Sequence, residues 1–143
     1  NLFVAEFIGD PKINVFDAAV RRTGTSAAIE FQGISIPCKR KIPERLTHLK
    51  FAIRPESIIF SDTPADDAIE VVIDLVHPTG SQTIIFASAG DTRFTVLRPG
   101  FVIREAGSKA WLQLPASEIN HFDPESGENV SATDQVDQPV RAA

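Results

Sequence analysis

The residues of this chain that could do chemistry are few and scattered. His48, His77 and His121 lie far apart, each at the end of a β-type segment, with no Cys or carboxylate at metal-ligand spacing beside them. They read as structural histidines rather than as a metal set. Cys38 is the single cysteine and forms no internal disulfide. Asp66-Asp67 and Glu70 could suggest an acid-base pair, but the two aspartates flank a strand in a polar loop, where carboxylates stay solvated. No serine sits in a nucleophile elbow. Gly33, Gly80, Gly90, Gly100, Gly107 and Gly127 are isolated turn glycines, so no loop cradles a phosphate in the P-loop manner. Two cationic groups remain. Lys39-Arg40-Lys41 with Arg45 reads as a solvated basic loop or as a docking patch for an acidic partner. Arg21-Arg22 reads the same way near a hairpin tip. Without a nucleophile, a metal set or an acid-base pair, no catalytic residue is expected.

The whole composition supports this restraint. The chain has 143 residues, 43% hydrophobic and 23% charged, with 14 basic against 19 acidic side chains and a formal charge of -5. That is enough apolar material for one ordinary domain core. Acidic balance and dispersed cations argue against nucleic acid as a partner. The longest apolar runs, such as Ile84–Ala87, are far too short to cross a bilayer, and no secretory signal is present. Met is absent and the chain opens on Leu2-Phe3-Val4, which reads as a piece of something longer.

The elements that must position these residues are short and mostly extended. Asn1 to Ile8 predicts two helical turns, with Phe3/Phe7 and Val4/Ile8 four apart, ended by Gly9-Asp10-Pro11. Strands are expected at Ile13–Phe16, Ala27–Phe31, Ile34–Ile36 and Leu49–Ile53, the first two joined around Gly24. One helical turn is expected from Pro43. The clearest strand follows the polar loop 61–67, with Ile69, Val71, Ile73 and Leu75 on one face and Glu70, Val72, Asp74 and Val76 on the other. Gln82–Ser88, Thr92–Leu97, Ala110–Leu114 and Glu118–Phe122 complete the set. Short strands with turns every eight to twelve residues predict an all-β, OB-like small barrel with short helices, either as one elaborated barrel or as two small sheets divided near Asp62. The expected organisation is a short helical segment over 1–12, which would join the domain to whatever precedes it, a β domain over 13–130 and a flexible tail over 131–143.

Two motifs carry architectural chemistry. In Arg54-Pro55-Glu56, Pro55 ends a strand, Glu56 meets the amides of a short helical turn, and Arg54 offers a planar fork of donors. Asp123-Pro124-Glu125-Ser126-Gly127 is a turn opened by Asp and closed by Gly, with Phe122 anchoring it. Trp111 is either half-covered on an outer sheet face or buried at an interface.

Together these motifs resemble the C-terminal regulatory region, the TOBE domain, of the ATP-binding subunits of bacterial ABC sugar importers of the maltose and glycerol-phosphate type. The resemblance covers nearly all of 1–130. It rests on Asn1-Leu2-Phe3-Val4-Ala5-Glu6-Phe7-Ile8-Gly9-Asp10-Pro11, on Ile36-Pro37, on Ile53-Arg54-Pro55-Glu56, on Gly80, and on His121-Phe122-Asp123-Pro124-Glu125-Ser126-Gly127. Ala52, His77 and Ser126 depart from the family's usual glycine, glutamate and threonine.

The resemblance implies a non-catalytic regulatory and dimerisation module with no cofactor of its own, ATP and Mg belonging to a nucleotide-binding domain upstream. It implies structural roles for Arg54, Pro55, Glu56, Gly80, Phe122, Asp123, Pro124 and Gly127, and interface roles for Phe3, Phe7, Trp111, His121 and Phe122. The implied partners are the chain's own ATPase domain, a second copy of the subunit, the transporter's membrane subunits and a regulatory protein. The implied location is cytoplasmic, peripheral to the inner membrane. The alternative is a barrel that binds a small oxyanion, with Arg21-Arg22 as the place to look.

Overall fold

The structure, a computed structural model, describes residues 12–127. The expected helix at 1–8 and the tail over 131–143 lie outside the described residues.

The described residues form ten strands in order: β1 (Asn14–Thr23), β2 (Ser26–Phe31), β3 (Ile34–Pro37), β4 (His48–Ile53), β5 (Ile59–Ser61), β6 (Ile69–Pro78), β7 (Gln82–Ala89), β8 (Thr92–Pro99), β9 (Lys109–Gln113) and β10 (Asn120–Phe122). Helix among the described residues is confined to two 3-10 turns, Pro55–Ser57 and Ala116–Glu118. The all-β, OB-like expectation therefore holds. At Pro43, where a helical turn was expected, the chain makes only a hydrogen-bonded turn, Leu46 N donating to Pro43 O at 3.1 Å. Conversely β5 was not foreseen, since three residues carry too little periodicity to register.

The strands form two antiparallel five-stranded sheets, ordered β10-β4-β1-β2-β3 and β5-β9-β6-β7-β8. The division falls close to Asp62, but β10 crosses back to lie beside β4, so the end of the chain laces the halves together. Both sheets turn their apolar faces to one core, Ile29, Leu49, Phe51 and Ile53 from the first meeting Ile73, Ile85, Val96 and Leu112 from the second. At its centre Phe94 of β8 sits 4.9 Å, ring centre to ring centre, from Phe16 of β1, and Phe31 meets Phe51 edge-on at 5.0 Å. Each such pair adds about 0.5–1.5 kcal/mol to the simple burial of area.

One side chain joins the first sheet to the open edge of the second. Asn14 Nδ2 donates to Thr95 O at 2.9 Å, and Thr95 N donates to Asn14 Oδ1 at 2.8 Å. The amide of Asn14 stands in for a missing neighbouring strand and satisfies both backbone groups of Thr95 on edge strand β8. Its second N–H reaches Ile53 O at 3.3 Å. Closure of the two half-barrels at this point is made by a side chain, not by a ladder.

Within β6 the simple alternation fails. Leu75 was expected beside Ile69, Val71 and Ile73, but the register shifts between Ile73 and Leu75 and leaves Leu75 54% exposed. The cause lies far along the chain. Pairing with β9 ends at Val72↔Lys109, and the backbone of Ile73 is instead taken by the turn that precedes β9, Ile73 N donating to Ser108 O at 2.9 Å and Gly107 N to Ile73 O at 2.7 Å. Asp74 is the extra residue of a bulge, after which every side chain changes face. Val76 consequently packs against the core.

Candidate functional site

Three surfaces of the described residues bring together side chains that could act. The first is a groove of about 800 Å³ between the β1–β2 hairpin tip and the loop after β3, lined by Arg22, Thr25, Ser26, Lys39, Arg40, Lys41 and Glu44 among others. The hairpin is tight, Thr23 pairing with Ser26, and Gly24 takes φ +62° at its first loop position, where a side chain would be strained. Arg22 arches across and donates to three carbonyls of the basic loop: Pro43 O at 2.7 Å, Leu46 O at 3.0 Å and Ile42 O at 3.3 Å. Five donors in a rigid plane suit this role, which lysine could not fill. Sequence reasoning treated Arg21-Arg22 and Lys39-Arg40-Lys41-Arg45 as separate groups; the fold makes them one. Arg21 itself points away and pairs with Glu30 at 3.0 Å. Cys38 lines the groove with its thiol pKa pushed up by burial, against an opposing pull from the Arg22 charge.

The second is the C-terminal turn. Asp123 Oδ1 accepts from Glu125 N at 2.9 Å and Ser126 N at 3.3 Å, and Gly127 N returns to Asp123 O at 2.9 Å with Gly127 at φ +75°. Asp123 Oδ2 meets Arg45 Nη1 at 2.9 Å, which ties the basic loop to the end of the domain. The Glu125 amide, together with Arg45 and the Ser126 amide, holds the Asp123 carboxyl below the usual carboxylate range against the opposing effect of burial. Phe122 packs on Ala52 with Ile13 and Val15, and His121 is buried with its pKa pushed down to about 4 by that burial.

The third is the outer face of the second sheet. Cross-strand pairs Glu70↔Trp111, Val72↔Lys109, Leu75↔Phe86, His77↔Ile84 and Ile84↔Leu97 share it. Val72, Leu75 and Phe86 are exposed large apolar side chains, Trp111 is half-buried, and Lys109 and Glu70 form a loose ion pair at 3.6 Å. An apolar stripe of this kind rimmed by opposite charges is the ordinary appearance of an interaction surface. Sequence alternation hid it by assigning Leu75 to the core.

Of the other predicted positions, Arg54 is exposed and supplies its carbonyl to Ser57 N at 3.0 Å, Pro55 is buried, and Glu56 lies exposed in the 3-10 turn. Gly80 adopts φ +92° in the turn after β6. Phe3 and Phe7 lie outside the described residues. Among the described residues no group of three or more His, Cys, Asp or Glu is placed to hold a metal ion, and no helix is long and apolar enough to cross a membrane.

Against known proteins, residues 51–122, which run from β4 through the laced strand β10, match the profile of the TOBE domain. The chain belongs to the TOBE domain family. Among its relatives is the sn-glycerol-3-phosphate import ATP-binding protein of Escherichia coli, 31% identical over 133 residues and aligned with 91% of this chain but 36% of that protein. The xylose/arabinose import ATP-binding protein of Haloferax volcanii is 28% identical over 141 residues, again covering 36% of its length. This TOBE chain thus spans about a third of the relatives it matches. A solved structure of the cytoplasmic molybdate-binding protein ModG shares the fold with a TM-score of 0.61 at 10% identity, covering 78% of this chain and 96% of that one. At that identity the likeness concerns fold alone.

Proposed function

We propose that this TOBE domain is the non-catalytic regulatory and dimerisation module of the ATP-binding subunit of an ABC-type carbohydrate importer. The observation that carries the reading is the outer face of the second sheet, where the bulge in β6 turns Leu75 outward onto Phe86 beside Val72, with Trp111 at the rim. The occupant is a second copy. A face that carries both Lys109 and Glu70 beside one apolar stripe can meet its own two-fold mate, each copy's cation facing the other's carboxylate. Joined this way, two tethered ATPase domains stay at high effective concentration while their nucleotide sites open and reclose.

The remaining partners follow from the parent subunit: its own ATPase domain upstream through Phe3 and Phe7, the membrane subunits it serves, and a regulatory protein at the domain surface. His121 and Phe122 act from behind that surface by holding the C-terminal turn. ATP and Mg belong to the parent's nucleotide-binding domain, and the location is the cytoplasmic side of the inner membrane through the transporter complex. Analytical ultracentrifugation of the parent subunit tests the reading. Leu75→Asp with Phe86→Asp is expected to weaken its dimer at least tenfold with an unchanged circular dichroism spectrum, and equal dimerisation would refute the role of this face. The alternative, a barrel for a small oxyanion, is separated by calorimetry with molybdate, tungstate and sulfate.

A further inference from the structure

The basic loop between β3 and β4 has no part in the self-association reading. Lys39, Arg40, Lys41 and Arg45 are all exposed there, with one carboxylate, Glu44, among them. Arg45 is neutralised by Asp123 at 2.9 Å, whereas Lys39 and Lys41 make no ion pair with a carboxylate among the described residues. In a chain of formal charge -5, residues 39–41 are the one place where three cations follow in succession. Over the rest of so acidic a chain an anionic segment meets net repulsion, and here it meets attraction.

The loop is held in shape. Arg22 clamps its middle through the carbonyls of Ile42, Pro43 and Leu46, and Cys38 N donates to Ala27 O at 2.9 Å at its start. A segment tied in this way loses little entropy when something comes to lie against it. The pair between Arg45 and Asp123 does more than anchor the far end. Asp123 opens the turn that closes at Gly127, whose N donates to Asp123 O at 2.9 Å, so the chain leaves the described residues beside the basic loop.

What the chain carries from that point is acidic. Residues 128–137 hold three carboxylates, Glu128, Asp134 and Asp137, and no Lys or Arg. They lie outside the described residues, and their reach follows from chain length alone. Lys41 is four residues from Arg45, at most about 14 Å along the backbone, while Asp134 can extend up to about 25 Å from Gly127. The carboxylates therefore meet Lys39 and Lys41 without any rearrangement of the domain. A single exposed ion pair contributes little, but a short tether holds the two charged segments at an effective concentration of about millimolar, and several pairs share one docking event.

We propose that residues 128–137 dock across the basic loop of their own chain, their carboxylates pairing with the ammonium groups of Lys39 and Lys41. An acidic polypeptide seeking the same loop must first displace them. The inference is independent of dimerisation through the outer sheet face, since neither segment shares a residue with that face.

The test is carbodiimide coupling of the full chain at low protein concentration and low salt, read by peptide mass spectrometry. Coupling of Glu128, Asp134 or Asp137 to Lys39 or Lys41 is expected within one chain, a mixture of unlabelled and isotope-labelled chains giving no mixed product. A second arm measures the acetylation rate of each lysine. Glu128→Gln with Asp134→Asn and Asp137→Asn is expected to speed acetylation of Lys39 and Lys41 at least threefold, because a nearby carboxylate holds an amine in its protonated, unreactive form. The exposed Lys12 serves as the reference, and its rate and the unfolding midpoint are expected to stay put. At about 1 M salt, where screening acts within about 3 Å, the unaltered chain is expected to match the variant. Absence of coupling, coupling only between chains, unchanged rates at Lys39 and Lys41 in the variant, or an equal rise at Lys12 would each overturn the proposal. Dimerisation is read separately on the Leu75 and Phe86 variants, so failure of either proposal leaves a distinct signature.

Discussion

Replacing Asn14 by alanine removes the amide that closes the two sheets. Three hydrogen bonds disappear, those with Thr95 N, Thr95 O and Ile53 O, and the acceptors and donor left behind sit where Asn14 itself is only 6% exposed. A buried polar group without a partner costs about 1–3 kcal/mol, and Thr95 is half-buried, so water recovers part of its loss. The expected destabilisation is about 2–4 kcal/mol. With a urea m-value of about 2 kcal/mol/M, the unfolding midpoint falls by about 1–2 M, and amide exchange at Thr95 accelerates ahead of the core. Asn14→Asp adds a second reading. The carboxylate still accepts from Thr95 N but faces two carbonyl oxygens, so its pKa rises on folding, and the penalty is largest at neutral pH and shrinks as pH falls through the raised value. A loss below about 0.5 kcal/mol in the alanine variant, or an aspartate variant as stable at pH 7 as at pH 4, would refute the view that this amide replaces a strand.

The other predictions concern the second and first surfaces. His121 has its pKa lowered from 6.5 to about 4 in the folded chain, so the unfolded chain takes up the proton first on acidification and stability falls between about pH 6.5 and 4, by up to about 3 kcal/mol. Urea midpoints at pH 7 and 4.5 measure this, and His121→Gln is expected to flatten the difference. Asp123→Ala removes the acceptor of two turn amides and the partner of Arg45, for a loss of about 1–2 kcal/mol by thermal unfolding, whereas Asp123→Asn keeps the amide acceptor and loses less. Because the Asp123 pKa is depressed, its stabilisation is complete above the ordinary carboxylate range and is lost as pH falls through the folded value. Arg22→Gln frees the turn at Ile42–Leu46, with an expected loss of about 1–2 kcal/mol and faster tryptic cleavage after Lys39, Arg40 or Lys41.

The amino-acid order alone determined what local rules can reach. Period-two alternation in Ile69–Ile73, the Gly24 hairpin, the strand stop at Pro55 and the Asp123–Gly127 turn depend on residues within a few positions of one another, and the structure keeps all of them. The junction motifs of the TOBE family are equally local, so the family was legible before any coordinates. Tertiary structure decided whatever depends on which segments meet. Leu75 faces outward because the backbone of Ile73 finds partners in a turn more than thirty positions later, and no window of sequence contains both. Asn14 looks like any strand residue until an unpaired edge arrives 81 positions on. Arg22 and Lys39–Lys41 become one groove, and Arg45 an anchor for Asp123, only through the pairing of β1 with β2 and the return of β10 beside β4. Backbone propensity acts between neighbours, while charge and hydrogen bonding act across space, and here the candidate surfaces were built by the second.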